Sequence, residues 1–214
     1  MKSQSVSLSY INLFWMFILG SILGVIIEMV WCYAYFGRIE SRVGLVLGPF
    51  NQIYGFGVIL LTLCLYKLQD KSWWIVAIFS AVIGAVYEYL CSYFQEIIYN
   101  TMSWDYTGSP LSINGRTSLI FAVFWGLLGL LWIKVLMPVS AKYIAMIPQN
   151  ISVILTIFMT AFIVIDIIIS SMAVQRRVER HNNISPINSV ESFFDEYYSD
   201  NKLKKIYPNM VVLK

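Results

Sequence analysis

The sequence predicts an all-α, polytopic membrane protein with five transmembrane helices, and three observations support this fold class. Hydrophobic residues make up 58% of the chain and charged residues only 13%, and the mean hydropathy is +0.69. Soluble domains carry about 25% charged residues. A helix needs about 20 mostly apolar residues to cross a bilayer, and five stretches are long enough. They lie at about 11–36, 46–66, 73–98, 117–137 and 151–174.

The first and third predicted helices share a motif in which a glycine precedes a glutamate by four residues. It occurs as Gly24-x-x-x-Glu28 and again as Gly84-x-x-x-Glu88. Residues four apart lie on one helix face, and small residues there let another helix approach closely. Both helices run in the same direction and precede a polar loop and a returning helix. We therefore predict two hairpins related by a parallel internal repeat, followed by a fifth helix.

The distribution of basic residues predicts the orientation and two domains. Residues 1–175 form the five-helix transmembrane domain, and an odd number of spans places the two termini on opposite sides. Lysine and arginine are frequent after the last span, so the positive-inside rule places residues 176–214 in the cytoplasm of a bacterium with the protein in its inner membrane. The aromatic residues Phe193, Phe194, Tyr197 and Tyr198 fit one helix face, which predicts an amphipathic cytoplasmic tail. The alternative is a segment that docks a partner.

Carboxylates within the predicted helices mark the candidate site, because a charge at bilayer depth costs about 2.5–3.5 kcal/mol and is usually functional. Glu28, Glu88 and Asp166 lie past the middle of their helices, toward the predicted cytoplasmic side. We predict a substrate-binding or coupling site that opens to the cytoplasm. The alternative is that arginines from the loops pair with the carboxylates and only brace the hairpins. The loops on that side supply the other candidates, which are Arg42, Arg116, Asn51, Trp104, Asp105 and Asn114.

Two loops are expected to contribute backbone groups to this site. Residues 48–57 begin the second helix with Gly48-Pro49, where free N–H groups can receive an anion or a carboxylate. Residues 104–116 lead into the fourth helix and are rich in turn-forming residues, so they could be a simple connector. The tryptophan and aspartate at its start and the arginine at its end favour a capped or re-entrant structure.

Several motifs, taken together, carry a resemblance to a known family. They are Gly24-x-x-x-Glu28, Gly48-Pro49 with Ile53-Tyr54-Gly55-x-Gly57, Gly84-x-x-x-Glu88, Trp104-Asp105-Tyr106 with Asn114-x-Arg116, and Trp125-Gly126. With these motifs the chain resembles the family known as Putative ABC-transporter type IV, or CmpB-like, membrane proteins. The resemblance covers about residues 10–175 and implies a transport function without assigning a substrate. The family often has an asparagine where this chain has Ser112.

The sequence favours membrane transport, or small-molecule or lipid binding, over catalysis. It contains no phosphate-binding Gly-x-x-x-x-Gly-Lys-Ser/Thr motif, so an ATPase would be a separate subunit, and five spans favour a homodimer or another partner. No cofactor or metal is expected, because the three cysteines lack paired spacing and His181 is the only histidine. A scattered net charge of +3 gives no indication of nucleic-acid binding. The alternatives are a membrane-embedded enzyme that acts on a lipid and a non-catalytic assembly or regulatory subunit.

Overall fold

The computed structural model describes residues 7–213, and helices dominate this part of the chain. Four of these helices are long and apolar enough to cross a membrane: α1 (Tyr10–Phe36), α3 (Trp73–Tyr99), a helix over Leu119–Ala145, and α6 (Gln149–His181). The helix over Leu119–Ala145 consists of α4 (Leu119–Leu131), a π-helical turn and α5 (Met137–Ala145). The predicted class of helical membrane protein is confirmed.

The second predicted span, at 46–66, contains a shorter helix than expected. Helix α2 begins at Gln52 and ends at Leu65, and a 3₁₀ turn extends it to Leu68. Gly48 has a φ of +75° and Pro49 lacks an N–H, so the helix cannot extend toward residue 46. Fourteen residues rise about 21 Å, less than the roughly 30 Å hydrocarbon core. The prediction of five membrane-spanning helices is therefore not confirmed.

The residues before α2 form irregular backbone, and two of their side chains are buried in the bundle. Leu45 is 1% exposed, and Phe50 is 7% exposed. The Val46 N–H donates to Ser170 Oγ at 2.9 Å, and the Leu47 N–H donates to Asp166 Oδ1 at 3.0 Å. Irregular backbone is tolerated at membrane depth only where protein satisfies its polar groups. Helix α6 supplies that contact here.

Glycines on α1 and α3 allow the returning helices to pack closely. A Cβ on Gly24 would lie 2.1 Å from Tyr54 Cγ on α2, and a Cβ on Gly84 would lie 2.3 Å from Trp125 Cγ on α4. Both distances are much shorter than a van der Waals contact, so any residue larger than glycine at either position would overlap the aromatic ring. Helix α1 packs on α2, and helix α3 packs on α4; in each pair an aromatic ring of the second helix lies against a glycine of the first.

The last two apolar helices are longer than the sequence predicted. The predicted span at 117–137 continues to Ala145 through the π-helical turn, and the span predicted at 151–174 runs from Gln149 to His181. The ammonium of Lys134 donates to the backbone carbonyl of Gln69 at 2.6 Å, which ties this helix to the turn before α3. Helix α6 rises about 50 Å, so its C-terminal part extends beyond the apolar core.

The tail folds back onto the C-terminal end of α6. It contains α7 (Ser189–Tyr197), α8 (Asp200–Ile206) and β2 (Val211–Val212), and β2 pairs in antiparallel register with β1 (Thr101–Met102) between α3 and α4. The tail and the α3–α4 connection therefore lie at the same end of the bundle.

The sequence pattern predicts one apolar face for the aromatic residues of the tail, but these residues lie on two sides of α7. Phe194 and Tyr198 are buried with Leu203 against Ala173 of α6, whereas Phe193 is 54% exposed. Positions four apart lie on the same side of a helix, so one pair of rings contacts α6 and the other pair faces outward.

Candidate functional site

A cavity of about 350 Å³ opens between the long helices at the end of the bundle that carries the tail. Glu28 enters it from α1 and Glu88 from α3, and Arg42 and Asn51 enter it from the segment before α2. With Trp104, five of the nine predicted site residues therefore line one cavity. Aromatic side chains form much of the remaining wall, and they include Trp31, Tyr54, Tyr99, Tyr106, Phe121, Phe124 and Trp125.

The carboxylate of Glu88 is buried, and hydroxyl groups supply its hydrogen bonds. The Tyr106 hydroxyl donates to Oε1 at 3.0 Å, and the Thr117 hydroxyl donates to Oε2 at 2.9 Å. Burial, and then the neighbouring carboxylate, raises the pKa of Tyr106 well above its usual range, so this phenol remains a donor. Its ring stacks on Phe121 with 3.9 Å between the ring centroids. The Trp125 side chain also interacts with Glu88, and all three partners are uncharged.

The carboxylate of Glu28 lies in a similar setting on α1. The Tyr54 hydroxyl interacts with it, and the guanidinium of Arg42 attracts it without a direct hydrogen bond among the described residues. Arg42 Nη2 instead donates to Glu40 Oε2 at 3.1 Å and to Cys32 Sγ at 3.1 Å. The structural pairing of Glu28 or Glu88 with Arg42, which the sequence left open as an alternative, is not the arrangement observed.

Arg116 does not line the cavity, and it pairs with a carboxylate that the sequence analysis did not name as a site residue. Its Nη2 donates to Glu96 Oε2 at 2.6 Å, and its guanidinium carbon lies 5.4 Å from the centroid of the Tyr93 ring. The Arg116 side chain therefore braces the end of α3 and does not pair with any of the three predicted site carboxylates within the helices. The four-residue spacing that runs from Glu88 through Ser92 to Glu96 could have identified this partner.

Asp166 is fully buried, but it does not line the cavity. Its Oδ1 accepts hydrogen bonds from the Leu47 N–H and, at 3.2 Å, from the Ser170 hydroxyl. A buried backbone N–H costs about 1–3 kcal/mol when it has no partner. Asp166 thus fixes the irregular segment before α2 against α6.

Asp105 and Asn114 shape their own loop. Asp105 Oδ1 accepts from the Thr107 hydroxyl at 2.6 Å and from the Thr107 N–H at 2.8 Å, and these bonds lower the pKa of Asp105. Asn114 has a φ of +52° and donates to the Tyr89 hydroxyl at 3.1 Å. The loop closes where the Tyr106 N–H donates to the Gly115 carbonyl at 2.8 Å. These contacts hold Trp104 and Tyr106 at the cavity.

The C-terminal tail completes the cavity wall, which the sequence did not indicate. The Tyr207 hydroxyl donates to the Gly44 carbonyl at 3.2 Å, and the Leu213 N–H donates to the Asn100 carbonyl at 2.9 Å. Residues 206–210 all line the cavity. Contacts between segments more than 100 residues apart leave no local pattern by which they could be found.

The fold therefore defines a polytopic helical membrane protein with an acidic and aromatic cavity at one end. Among the described residues, no group of three or more histidine, cysteine, aspartate or glutamate side chains is arranged to hold a metal ion. The sequence profile of the family described as "Putative ABC-transporter type IV" matches residues 15–171, and the chain belongs to this family. The resemblance found in the motifs is thereby confirmed. The comparisons with curated proteins and with solved structures returned no significant match.

Proposed function

We propose that this protein is the membrane-embedded, ligand-binding subunit of a transport system, with its binding site in the cavity between Glu28 and Glu88. The family and the four apolar helices support a transport-related membrane protein. One observation carries the assignment of the site. Two intramembrane carboxylates, from two helices that run in the same direction, line one cavity large enough for a small molecule.

The two hairpins support the proposed parallel repeat in their contacts as well as in their motifs. In each hairpin, the aromatic residue that packs on the glycine also interacts with the glutamate one turn further along: Tyr54 with Glu28, and Trp125 with Glu88. The rings of Tyr54 and Trp125 stack with 6.1 Å between their centroids. The two halves would thus meet at this ring pair, and repeat interfaces commonly hold transport sites.

The repeat also requires the chain to cross the membrane five times, and we propose that the second crossing is composite. The Asn51 N–H donates to the Ser21 carbonyl at 3.2 Å, so α2 begins beside the middle of α1. The irregular segment before Asn51 would form the first half of the crossing and α2 the second half. The end of the bundle with the tail and the cavity mouth would then be cytoplasmic, as the positive-inside rule favours.

The energy source would lie outside this chain. The sequence has no phosphate-binding motif for ATP, so we propose that a separate ATPase subunit binds the cytoplasmic loops. A second copy of the chain is the other candidate partner, because few helices are available to form a transport path.

Native mass spectrometry of the protein extracted in mild detergent tests the proposal, because it reports bound partners and retained ligand together. We expect wild type to retain a small molecule that Glu28→Gln and Glu88→Gln lose, while thermal stability stays near wild type. Glu196→Gln is the matched control, because Glu196 lies exposed on α7. Retention of the same ligand by both cavity variants, or loss of folded protein with normal ligand content per folded molecule, would show that the glutamates are structural.

A further inference from the structure

We propose that the cavity binds a hydrophobic organic cation, such as an amine or quaternary ammonium that carries apolar groups. Its positive charge would lie between Glu28 and Glu88, and its apolar groups would contact the aromatic wall. The inference rests on the proposed function, because it names the ligand class for that site. Three features of the cavity support it: its charge, its aromatic surface and the engagement of its one arginine.

The charge of the cavity favours a cation. Hydroxyl groups and an indole supply the contacts of Glu88, and the Tyr54 hydroxyl contacts Glu28. Neutral donors satisfy hydrogen bonds but do not neutralise charge. A carboxylate that is removed from water either takes up a proton or is compensated by a nearby positive charge. The two glutamates lack a directly bonded cation among the described residues, and a ligand can provide one.

Arg42 does not make the cavity suitable for an anion. Its guanidinium donates to Glu40 Oε2, and Glu40 Oε1 also accepts from Arg38 Nε at 2.9 Å. Among the residues that line the cavity, Glu28 and Glu88 are the acidic side chains and Arg42 is the basic one. An anion in the cavity would therefore meet two unpaired carboxylates and an arginine that is already paired.

The aromatic wall fits the remainder of such a ligand. Tyr54 and Trp125 stack beside each other, and Tyr106 and Phe121 form a second stack on the same cavity. Tyr54 contacts Glu28, and Trp125 and Tyr106 contact Glu88. Phe121 packs on Tyr106. Aromatic faces attract cations within about 6 Å and bury apolar groups at the same time. A cation without apolar groups would leave much of this surface without contact.

Two ions of equal shape and opposite charge provide a direct test. Tetraphenylphosphonium and tetraphenylborate are added to the full chain in nanodiscs, with empty nanodiscs as the blank for partition into lipid. We expect saturable binding of the phosphonium and no saturable binding of the borate. Glu28→Gln and Glu88→Gln should each weaken phosphonium binding at least tenfold, whereas Glu196→Gln should leave it unchanged.

Several results would overturn the inference. Equal binding of the two ions to wild type would remove the charge argument, and this comparison needs no variant to fold. Unchanged phosphonium binding in both cavity variants would place the ion elsewhere. If neither ion binds but the variants still lose the retained ligand by mass spectrometry, the ligand class proposed here is wrong while the transport-site proposal stands.

Discussion

Replacement of Arg176 by methionine should release the C-terminal tail from α6. The Arg176 side chain is 4% exposed, and its guanidinium donates to both oxygens of Asp195, at 3.0 Å and 2.7 Å, and to Glu191 at 3.4 Å. Methionine keeps most of the apolar stem of the side chain but leaves these carboxylates without their shared cation. Asp195 keeps one ion pair, because Arg180 Nη1 also contacts it at 2.5 Å.

The magnitude follows from the exposure of the partners. Breaking a fully buried ion pair costs about 3–5 kcal/mol. The Asp195 side chain is 20% exposed and Glu191 is 23% exposed, so water partly compensates the loss. We therefore expect tail docking to weaken by about 1–3 kcal/mol, which is less than the cost of breaking a fully buried ion pair because solvent screens these carboxylates. The population of undocked tail should rise about 5- to 150-fold, since about 1.4 kcal/mol corresponds to a factor of ten.

Hydrogen exchange followed by mass spectrometry measures this directly. Amides in α7, α8 and β2 should exchange faster in Arg176→Met, and those in α1–α4 should not change. Lys204→Met is the control, because Lys204 is exposed on α8 and should leave docking intact. Protection of the tail equal to wild type would refute the assignment of Arg176 as its main attachment. Faster exchange throughout the bundle would show that the substitution disturbs the whole fold.

Three further predictions concern packing, pH and the buried aspartate. Gly84→Ala should destabilise the bundle by about 1–3 kcal/mol, because the new Cβ would overlap the Trp125 ring, and an unchanged melting temperature would contradict this. The ion pair with Arg176 holds the pKa of Asp195 below its usual value. The contribution of Asp195 to tail docking should therefore be complete above about pH 4 and lost as pH falls through the lowered pKa. Release of the tail between pH 7 and 5, in exchange data corrected for intrinsic rates, would contradict this. Asp166→Leu should cost about 1–3 kcal/mol by leaving the Leu47 N–H unpaired, whereas Asp166→Asn retains an acceptor and should cost less; equal melting temperatures for the two variants would argue against the anchor.

The class of protein, its family and the two carboxylates of the cavity could all be predicted from residue patterns along the chain. Long apolar stretches predict membrane helices because the bilayer requires a fixed length of apolar chain. A glycine four residues before a glutamate predicts a tightly packed face that carries a charge, and this follows from helix periodicity alone. Helix ends were less well predicted, since Gly48-Pro49 shortened the second helix and α6 continues as a polar helix beyond its apolar part.

The contacts between distant side chains could be identified only in the three-dimensional fold. Arg116 had three predicted carboxylate partners, yet it contacts Glu96, because the 104–116 loop folds back over the end of α3. Asp166 was expected at the site, yet it binds the Leu47 N–H, because the irregular segment before α2 inserts against α6. Tyr207 reaches Gly44 across 163 residues of chain. Such contacts depend on how distant segments fold together in space, and hydropathy and residue spacing describe only near neighbours along the chain.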